Sequence, residues 1–356
     1  MPVLHVISQL DRYGGSYLLR AVARQNPAQH KIIAFEADSQ VVEELNKSGV
    51  EVRVIIIRGG WDFLALGRLA KHIRGQRPSA VHVWDVTALM KAKLTTRRAT
   101  QLIYSIQATD LEQPWAAKLI HALRNKLAAV VVPDEPHQTW CEEQDIAREK
   151  IHEVTPAVAI PHELDSQSAR QDLLKELQLP EETELIVAAG PLLRDKKLDE
   201  AIWCYELVRV LHPKARLVIV GDGSDRARLE RHARLVSDAS SIYFLGEREN
   251  ATKLIAAADV FWQPSLSRTT PIALLEAMAA GRAIVANEIP AHQAVIREGE
   301  TGRLAPIIDR AKFTKATNEF LEDADLRQKL AEAAAKNVAE HHSLQATIAS
   351  LLQLYK

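Results

Sequence analysis

The sequence predicts an α/β protein made of two Rossmann-like, doubly wound domains that face a central cleft. Three observations carry this expectation. Short runs rich in Val and Ile recur along the chain, longer helical patterns follow most of them, and the alternation pauses once near the middle before restarting. Continuously apolar strands alternating with amphipathic helices point to parallel sheets covered on both faces, the doubly wound architecture. The length of 356 residues suits about two domains of roughly 150 residues each. With 47% of residues apolar, each domain can bury an ordinary core.

In the first half the strand candidates are residues 3–8, 31–35, 52–57, 80–83, 102–106 and 129–132. Helical patterns lie at 16–24, 40–47, 63–74 and 115–127. Residues 155–184 break the rhythm with Pro156, Pro161, Pro180, a polar run and one short helix near 171–177. Strand candidates then resume at 185–189, 215–220, 242–245, 259–262 and 283–286, with helices at 198–211, 226–236, 252–257 and 272–280. The tail from Arg310 reads as helical, broken at His341-His342-Ser343 before a last helix over 344–355. The expected organisation is an N-terminal domain over 1–160, a linker over 161–184, a C-terminal domain over 185–340 and a final helix within 341–356.

Composition excludes several classes. Lys and Arg number 45 against 46 Asp and Glu, which argues against a nucleic-acid binder held by bulk charge. Cys141 and Cys204 lie far apart, so neither a disulfide framework nor a cysteine zinc spacing is present, and a reducing, cytoplasmic setting is expected. The opening apolar run is short, lacks a basic segment before it and reads as a first strand rather than a secretory signal. No apolar run approaches the ~20 residues of a membrane span, which leaves peripheral membrane contact open. The 13 histidines are scattered and show no metal-ligand spacing, so no metal site is expected.

In open α/β sheets, ligands bind beyond the carboxyl ends of the strands, so chemistry is sought in those loops. Gly221-Asp222-Gly223-Ser224 follows one strand and precedes a helix. It can bring backbone close to a phosphate at a helix N-terminus, or simply make a capped turn. Gly190-Pro191-Leu192-Leu193-Arg194-Asp195-Lys196-Lys197 places cations where a departing diphosphate could be neutralised, or is a solvated basic loop. In the segment from Pro264 to Gly281, Thr269 or Thr270 can cap a helix and Pro271 suits its first turn. Glu276 falls inside that otherwise apolar helix. A carboxylate there needs a partner, either a structural cation or a diol such as a ribose. Gly14-Gly15 after the first strand is a phosphate approach or a plain turn. Trp84-Asp85 reads as a packed Trp and a capping Asp, with acceptor contact as the alternative.

Taken in order, these loops resemble the group 1 glycosyltransferases, the glycogen-synthase-like family with the GT-B fold. The resemblance runs through Gly14-Gly15, Gly190 to Lys196, Gly221-Asp222-Gly223, Leu245-Gly246, Pro264-Ser265 and Leu275-Glu276-Ala277-Met278-Ala279-Ala280-Gly281, and covers nearly the whole chain. It implies transfer of a sugar from a nucleotide donor, UDP- or GDP-linked, with retained configuration, no bound metal and no further cofactor. Glu276 would hold the ribose hydroxyls, and Thr269, Thr270, Pro271 and the helix N-terminus the diphosphate. Lys196 matches the family lysine at the leaving phosphate, and Leu245-Gly246 would face the nucleobase. The last helix would cross back to the N-terminal domain. The acceptor, a glycan, lipid or small molecule, is not implied.

The departures are equally specific. Counting back eight positions from Glu276, where the family usually has a second glutamate, this chain has Arg268. Pro191 stands where the family often has arginine, with Arg194 nearby to supply that charge. Gln107 stands where a histidine usually follows the fifth strand, and a carboxamide is no general base. Arg268 would suit a donor sugar carrying an anion. The alternative is a relative that binds a nucleotide sugar or glycan without transfer; an epimerase or phosphorylase on the same scaffold is a third reading.

Overall fold

A computed structural model describes residues 2–57, 62–93, 95, 100–111, 113–160, 165–238, 240–267, 271–307 and 309–356. Its contacts divide the chain into two units, Met1–Pro156 with Leu344–Lys356, and Ala157–Ser343.

In the first unit, seven strands among the described residues form one parallel sheet: β1 (Val3–Leu10), β2 (His30–Ala37), β3 (Glu51–Val54), β4 (Ala80–Val83), β5 (Gln101–Ser105), β6 (Leu127–Val132) and β7 (Ile151–Glu153), in the order β3-β2-β1-β4-β5-β6-β7. The central strand β4 is buried along its whole length, while the edge strands β3 and β7 are short and largely open to solvent. That is why β4 reads as an apolar run broken only by His82 and why β7, three residues long and mostly polar, had no readable strand signal. Aspartates start the helices: Asp38, Asp85 and Asp134 each accept backbone N–H groups of the turn that follows, filling donors that helix geometry leaves unpaired.

The second sheet comprises β8 (Glu184–Ala189), β9 (Ala215–Val220), β10 (Ile242–Gly246), β11 (Val260–Gln263), β12 (Ala283–Asn287) and β13 (Arg303–Ala305), in the order β10-β9-β8-β11-β12-β13. All its pairings are parallel. Strand order reverses between β8 and β11, so their carboxyl ends flank the switch point. Asp259 and the linker differ from the sequence expectation. Asp259 is not in the strand; its Oδ2 accepts the Leu185 N–H at 2.7 Å and pairs with Arg170 at 2.6 Å. The stretch read as a linker contains a longer helix, Ser166–Glu176, which buries Ala169, Leu173 and Leu174 in the core of this unit.

The final helix, Leu344–Gln353, belongs to the first unit, where Ile348 and Leu351 enter the core with Leu19 and Val22. Beyond it, Tyr355 reaches a buried aromatic cluster. Its hydroxyl lies 2.6 Å from Nδ1 of His82, whose Nε2 is 2.7 Å from Oγ of Ser105. The Trp84 indole N–H donates to Nδ1 of His5 at 3.1 Å, so the His5 proton sits on Nε2 and is donated to Nδ1 of His30 at 2.9 Å. Trp84 is therefore a packed core residue, as the plainer reading had it, and Asp85 caps the helix Val86–Ala92.

Candidate functional site

The loops at the carboxyl ends of β8, β9 and β10 are bound to one another through backbone. The Gly190 N–H donates to Val220 O, the Leu192 N–H to Asp222 O and the Gly221 N–H to Gly246 O, at 2.8–2.9 Å. Gly221 has φ +134°, and a Cβ there would lie 2.0 Å from the Gly190 carbonyl oxygen. A Cβ on Gly223 would lie 2.4 Å from Leu192 O. Both glycines are thus required by the approach of one loop to the next, whatever else they contact. Asp225 holds the N-cap position of the helix Arg226–Val236 but makes no capping bond; its carboxylate instead grips Arg228. Leu245 and Gly246 are the last residues of β10 rather than a separate turn, with Gly246 at φ +72°.

Lys196 closes a short 3-10 turn, Arg194–Lys196, after β8. Its side chain is only 18% exposed, with Nζ 3.3 Å from the Asp195 carboxylate. The Leu266 N–H donates to Asp195 O at 2.8 Å, tying this turn to the loop after β11 across the switch point. Ser265, fully buried, accepts the Ser267 N–H at 3.0 Å and shapes that loop. Arg194 differs from Lys196. Its side chain is 81% exposed and approaches Asp225 only at 4.0 Å, so the fold does not hold it beside Lys196.

Sequence reading passed over His292. It is buried, and its Nδ1 lies 2.7 Å from Asn287 O. A carbonyl only accepts, so Nδ1 carries the proton. Nε2 is buried without a partner among the described residues. Burial first, and then the positive charge of Lys196, hold this imidazole down to about 4 against the opposing pull of the Asn287 bond. Asn287 also donates its amide to Pro264 O. The ends of β11 and β12 and the Lys196 turn therefore form one connected group. A lone histidine among 13 carries no spacing signal, so only tertiary contact reveals it.

Glu276 lies on the helix Ile272–Ala279, which begins after Pro271. Pro271 occupies the N-cap, one place before the first turn expected for it, and its carbonyl accepts the Leu274 N–H at 3.1 Å. Arg268, Thr269 and Thr270 lie outside the described residues. Among the described residues Glu276 has no ion-pair partner. Its Oε1 accepts the Thr252 hydroxyl at 3.1 Å, the one hydrogen bond it takes from the described residues. Burial raises this carboxyl to about 7, against the opposing Thr252 bond. Thr252 sits on the helix that follows β10, so this contact joins Glu276 to the β10 end of the sheet.

In the first unit, Gly14 and Gly15 open the helix Gly14–Gln25 rather than preceding it. Gly14 has φ +51° with open space where a side chain would go. A Cβ on Gly15 would lie 2.8 Å from Nε2 of Gln107, so the loops after β1 and β5 meet there. Asp110 anchors the second of these loops. It accepts the Tyr104 hydroxyl and the Gln107 and Val86 N–H groups, and burial still raises it to about 6.

Residues 169–337 match the family described as glycosyl transferases group 1. An alpha-D-kanosaminyltransferase of Streptomyces kanamyceticus is 24% identical over 252 residues, 70% of this chain and 65% of that protein. A phosphatidyl-myo-inositol mannosyltransferase of Mycolicibacterium smegmatis is 33% identical over 147 residues, 40% of this chain and 37% of that protein. The chain thus spans less than two thirds of the length of these curated relatives. Among solved structures, Anabaena Alr3699/HepE in complex with UDP superposes with a TM-score of 0.84 at 16% identity, covering 99% of both chains. The same protein has been solved with UDP-glucose. That likeness establishes the fold, the two-sheet GT-B architecture expected from the sequence.

Proposed function

We propose, since residues 169–337 of this chain match the group 1 glycosyl transferases, that the protein moves a sugar from a nucleotide-sugar donor to an acceptor. The donor is UDP- or GDP-linked, and the UDP and UDP-glucose complexes of the Anabaena structure favour UDP. Transfer proceeds with retained configuration and without a bound metal. The acceptor is a glycan, lipid or small molecule. The observation that carries this reading is Glu276, a buried carboxylate whose only polar partner among the described residues is one hydroxyl. A buried acceptor with an unused oxygen suits a vicinal diol, whose two O–H groups would recover the desolvation of the ionised form.

The remaining roles follow from position. Lys196 places a fixed ammonium at the switch point, where charge develops on the leaving diphosphate. The N–H groups opening the helix Ile272–Ala279, with Pro271, Thr269 and Thr270, complement that diphosphate through the helix dipole. Leu245 and Gly246 border the base, and Gly221 and Gly223 hold the adjoining loops. Arg268 meets an anionic group on the donor sugar, with Arg194 as a further, solvent-exposed cation.

A thermal-shift panel of UDP, GDP, ADP, TDP and their sugar conjugates, on wild type and Glu276→Ala, tests this reading. A ligand that binds only the folded state raises its melting temperature. A shift with one nucleotide that disappears in the variant supports the donor site and names the base. An equal shift in both proteins removes Glu276 from it. No shift with any nucleotide sinks the donor reading.

A further inference from the structure

The outer helices of the second unit carry an apolar stripe that the fold leaves in solvent. The helix Leu198–Leu211 buries Ala201, Ile202, Tyr205 and Val208 in the core beneath it. On its other side Trp203, Leu207, Val210 and Leu211 are 41%, 46%, 79% and 63% exposed. Steps of four, three and one residue place these four on one helical face. Leu235, on the neighbouring helix Arg226–Val236, is 79% exposed. A helix that is apolar all round is normally covered all round, and adjacent exposed apolar side chains mark an interaction surface.

Two helices flank this one. The Trp203 and His232 rings meet edge to face at 5.9 Å, which sets Arg226–Val236 along one side. The helix Arg310–Glu322 packs on β11, β12 and β13 and so lies along the other. It runs parallel to the central helix, since Arg310 donates to Glu200 at 2.6 Å and Glu322 lies 3.8 Å from His212. Three such helices, about 10 Å apart and about 20 Å long, cover about 600 Å² in projection, of the order of the ~800 Å² per partner in a standard interface. The groove beside Leu207 is lined by Lys315, Glu319 and Glu322. Glu319 is paired with Arg303 at 3.1 Å. Lys315 is exposed with no ion-pair partner among the described residues, and Glu322, 64% exposed, has only the His212 contact among them. Lys315 and Glu322 are seven residues apart, two turns along one flank. Opposite charges so placed complement a copy of themselves that runs the other way.

We propose that this face pairs with the same face of a second copy of the chain. A two-fold axis crossing the helix Leu198–Leu211 at right angles near Val210 makes the two copies antiparallel. Leu207 of each then packs on Leu211 of the other, and Lys315 of each meets Glu322 of the other, giving two ion pairs at the rim of an apolar centre. An axis along the helices would instead set Lys315 against Arg231 and Arg234 of the other copy, so like charge selects the antiparallel arrangement. The pairing stands apart from the transfer reading, since none of its residues belongs to the strand-end loops.

Sedimentation velocity of the full chain is the test. Wild type should run as a dimer at about 100 µM and dissociate on dilution. Val210→Asp sets two like charges beside the axis and should run as a monomer at the same concentration. Lys315→Glu and Glu322→Lys should each weaken the dimer about ten-fold or more, since the two-fold axis counts every change twice. Mixed in equal amounts, these two variants should regain a dimer containing one chain of each, because one flank is then wholly acidic and the other wholly basic. That rescue requires folded chains in the stated register, so it separates a lost contact from a lost fold. Leu64→Ser removes a side chain 83% exposed in the first unit and should dimerise as wild type does. The proposal is overturned if wild type is monomeric at about 100 µM, which would leave the stripe to a different protein. It is equally overturned if Val210→Asp dimerises unchanged, or if the mixed charge variants bind no better than either alone.

Discussion

The Thr252 hydroxyl donates to Oε1 of Glu276 at 3.1 Å, and among the described residues this single neutral bond is all that reaches a carboxyl on an apolar helix. Burial outweighs the bond, and the carboxyl sits at about 7 against an ordinary 4.5. Between those values the folded protein holds a proton that the unfolded chain has released. Stability therefore falls as pH rises from about 4.5 to about 7 and is level above that, by roughly 3 kcal/mol in all. Denaturant midpoints of the second unit at about pH 5 and about pH 8 should show this slope in wild type and lose it in Glu276→Gln. Equal slopes in the two proteins would rule out the raised carboxyl.

Nucleotide binding should run the other way with pH. A diol donates to the ionised carboxylate, so affinity tracks the deprotonated fraction and should rise about ten-fold from pH 6 to pH 8 for a group at about 7. Calorimetry with the nucleotide selected by the thermal-shift panel checks this. A flat profile would place the ribose elsewhere.

Lys196 and Arg194 are two residues apart and should behave differently. Lys196 is held at the switch point with most of its side chain covered, whereas Arg194 is 81% exposed. Lys196→Ala should cut kcat about 10²- to 10³-fold with the melting temperature unchanged, and Arg194→Ala only a few-fold. Similar kcat losses in both variants would contradict the assignment of leaving-group stabilisation to Lys196.

Gly221 and Gly14 both have positive φ, but their surroundings separate them. A Cβ at 221 meets the Gly190 carbonyl at 2.0 Å, while one at 14 meets nothing within 4 Å. Gly221→Ala should cost about 3 kcal/mol or more, since backbone must move. Gly14→Ala should cost about 1 kcal/mol, the strain of a left-handed alanine alone. Chemical denaturation distinguishes the two, and a mild Gly221→Ala would show that the loops can part cheaply.

The buried histidines of the first unit respond to acid in the opposite sense to Glu276. Burial, followed by neighbouring histidine charge, lowers His5 well below 6.5 and His82 to about 3; burial alone lowers His30. All three fold as neutral rings, so their stability contribution is complete above about 6.5 and is lost as pH falls below it, by about 1.4 kcal/mol per unit for each ring. Tyr355→Phe removes the contact to His82 and should cost about 1 kcal/mol. Hydrogen exchange in peptides covering β1 and β4 should accelerate from pH 6 to pH 5, beyond the intrinsic pH dependence of exchange. Unchanged protection over that range would contradict neutral burial of the cluster.

Much of this was legible locally. A strand covered on both faces is mostly apolar, as β4, β11 and β12 are, each with one polar residue, His82, Gln263 and Asn287, and that pattern needs no partner to be read. The three-residue edge strands β7 and β13 had no such constraint and went unread. Glu276 stood out because a carboxylate interrupts an apolar helix, and Lys196 because cations gather after a strand. What tertiary structure alone decided are relations between distant positions. His82 and Tyr355 are 273 residues apart, Gly221 is forced by a carbonyl on another loop, and His292 gains meaning only beside Lys196 and Asn287. Periodicity reports which side of an element faces apolar surroundings. It carries no record of which loop lies against which, because that depends on sheet order, and sheet order is set by packing the whole unit.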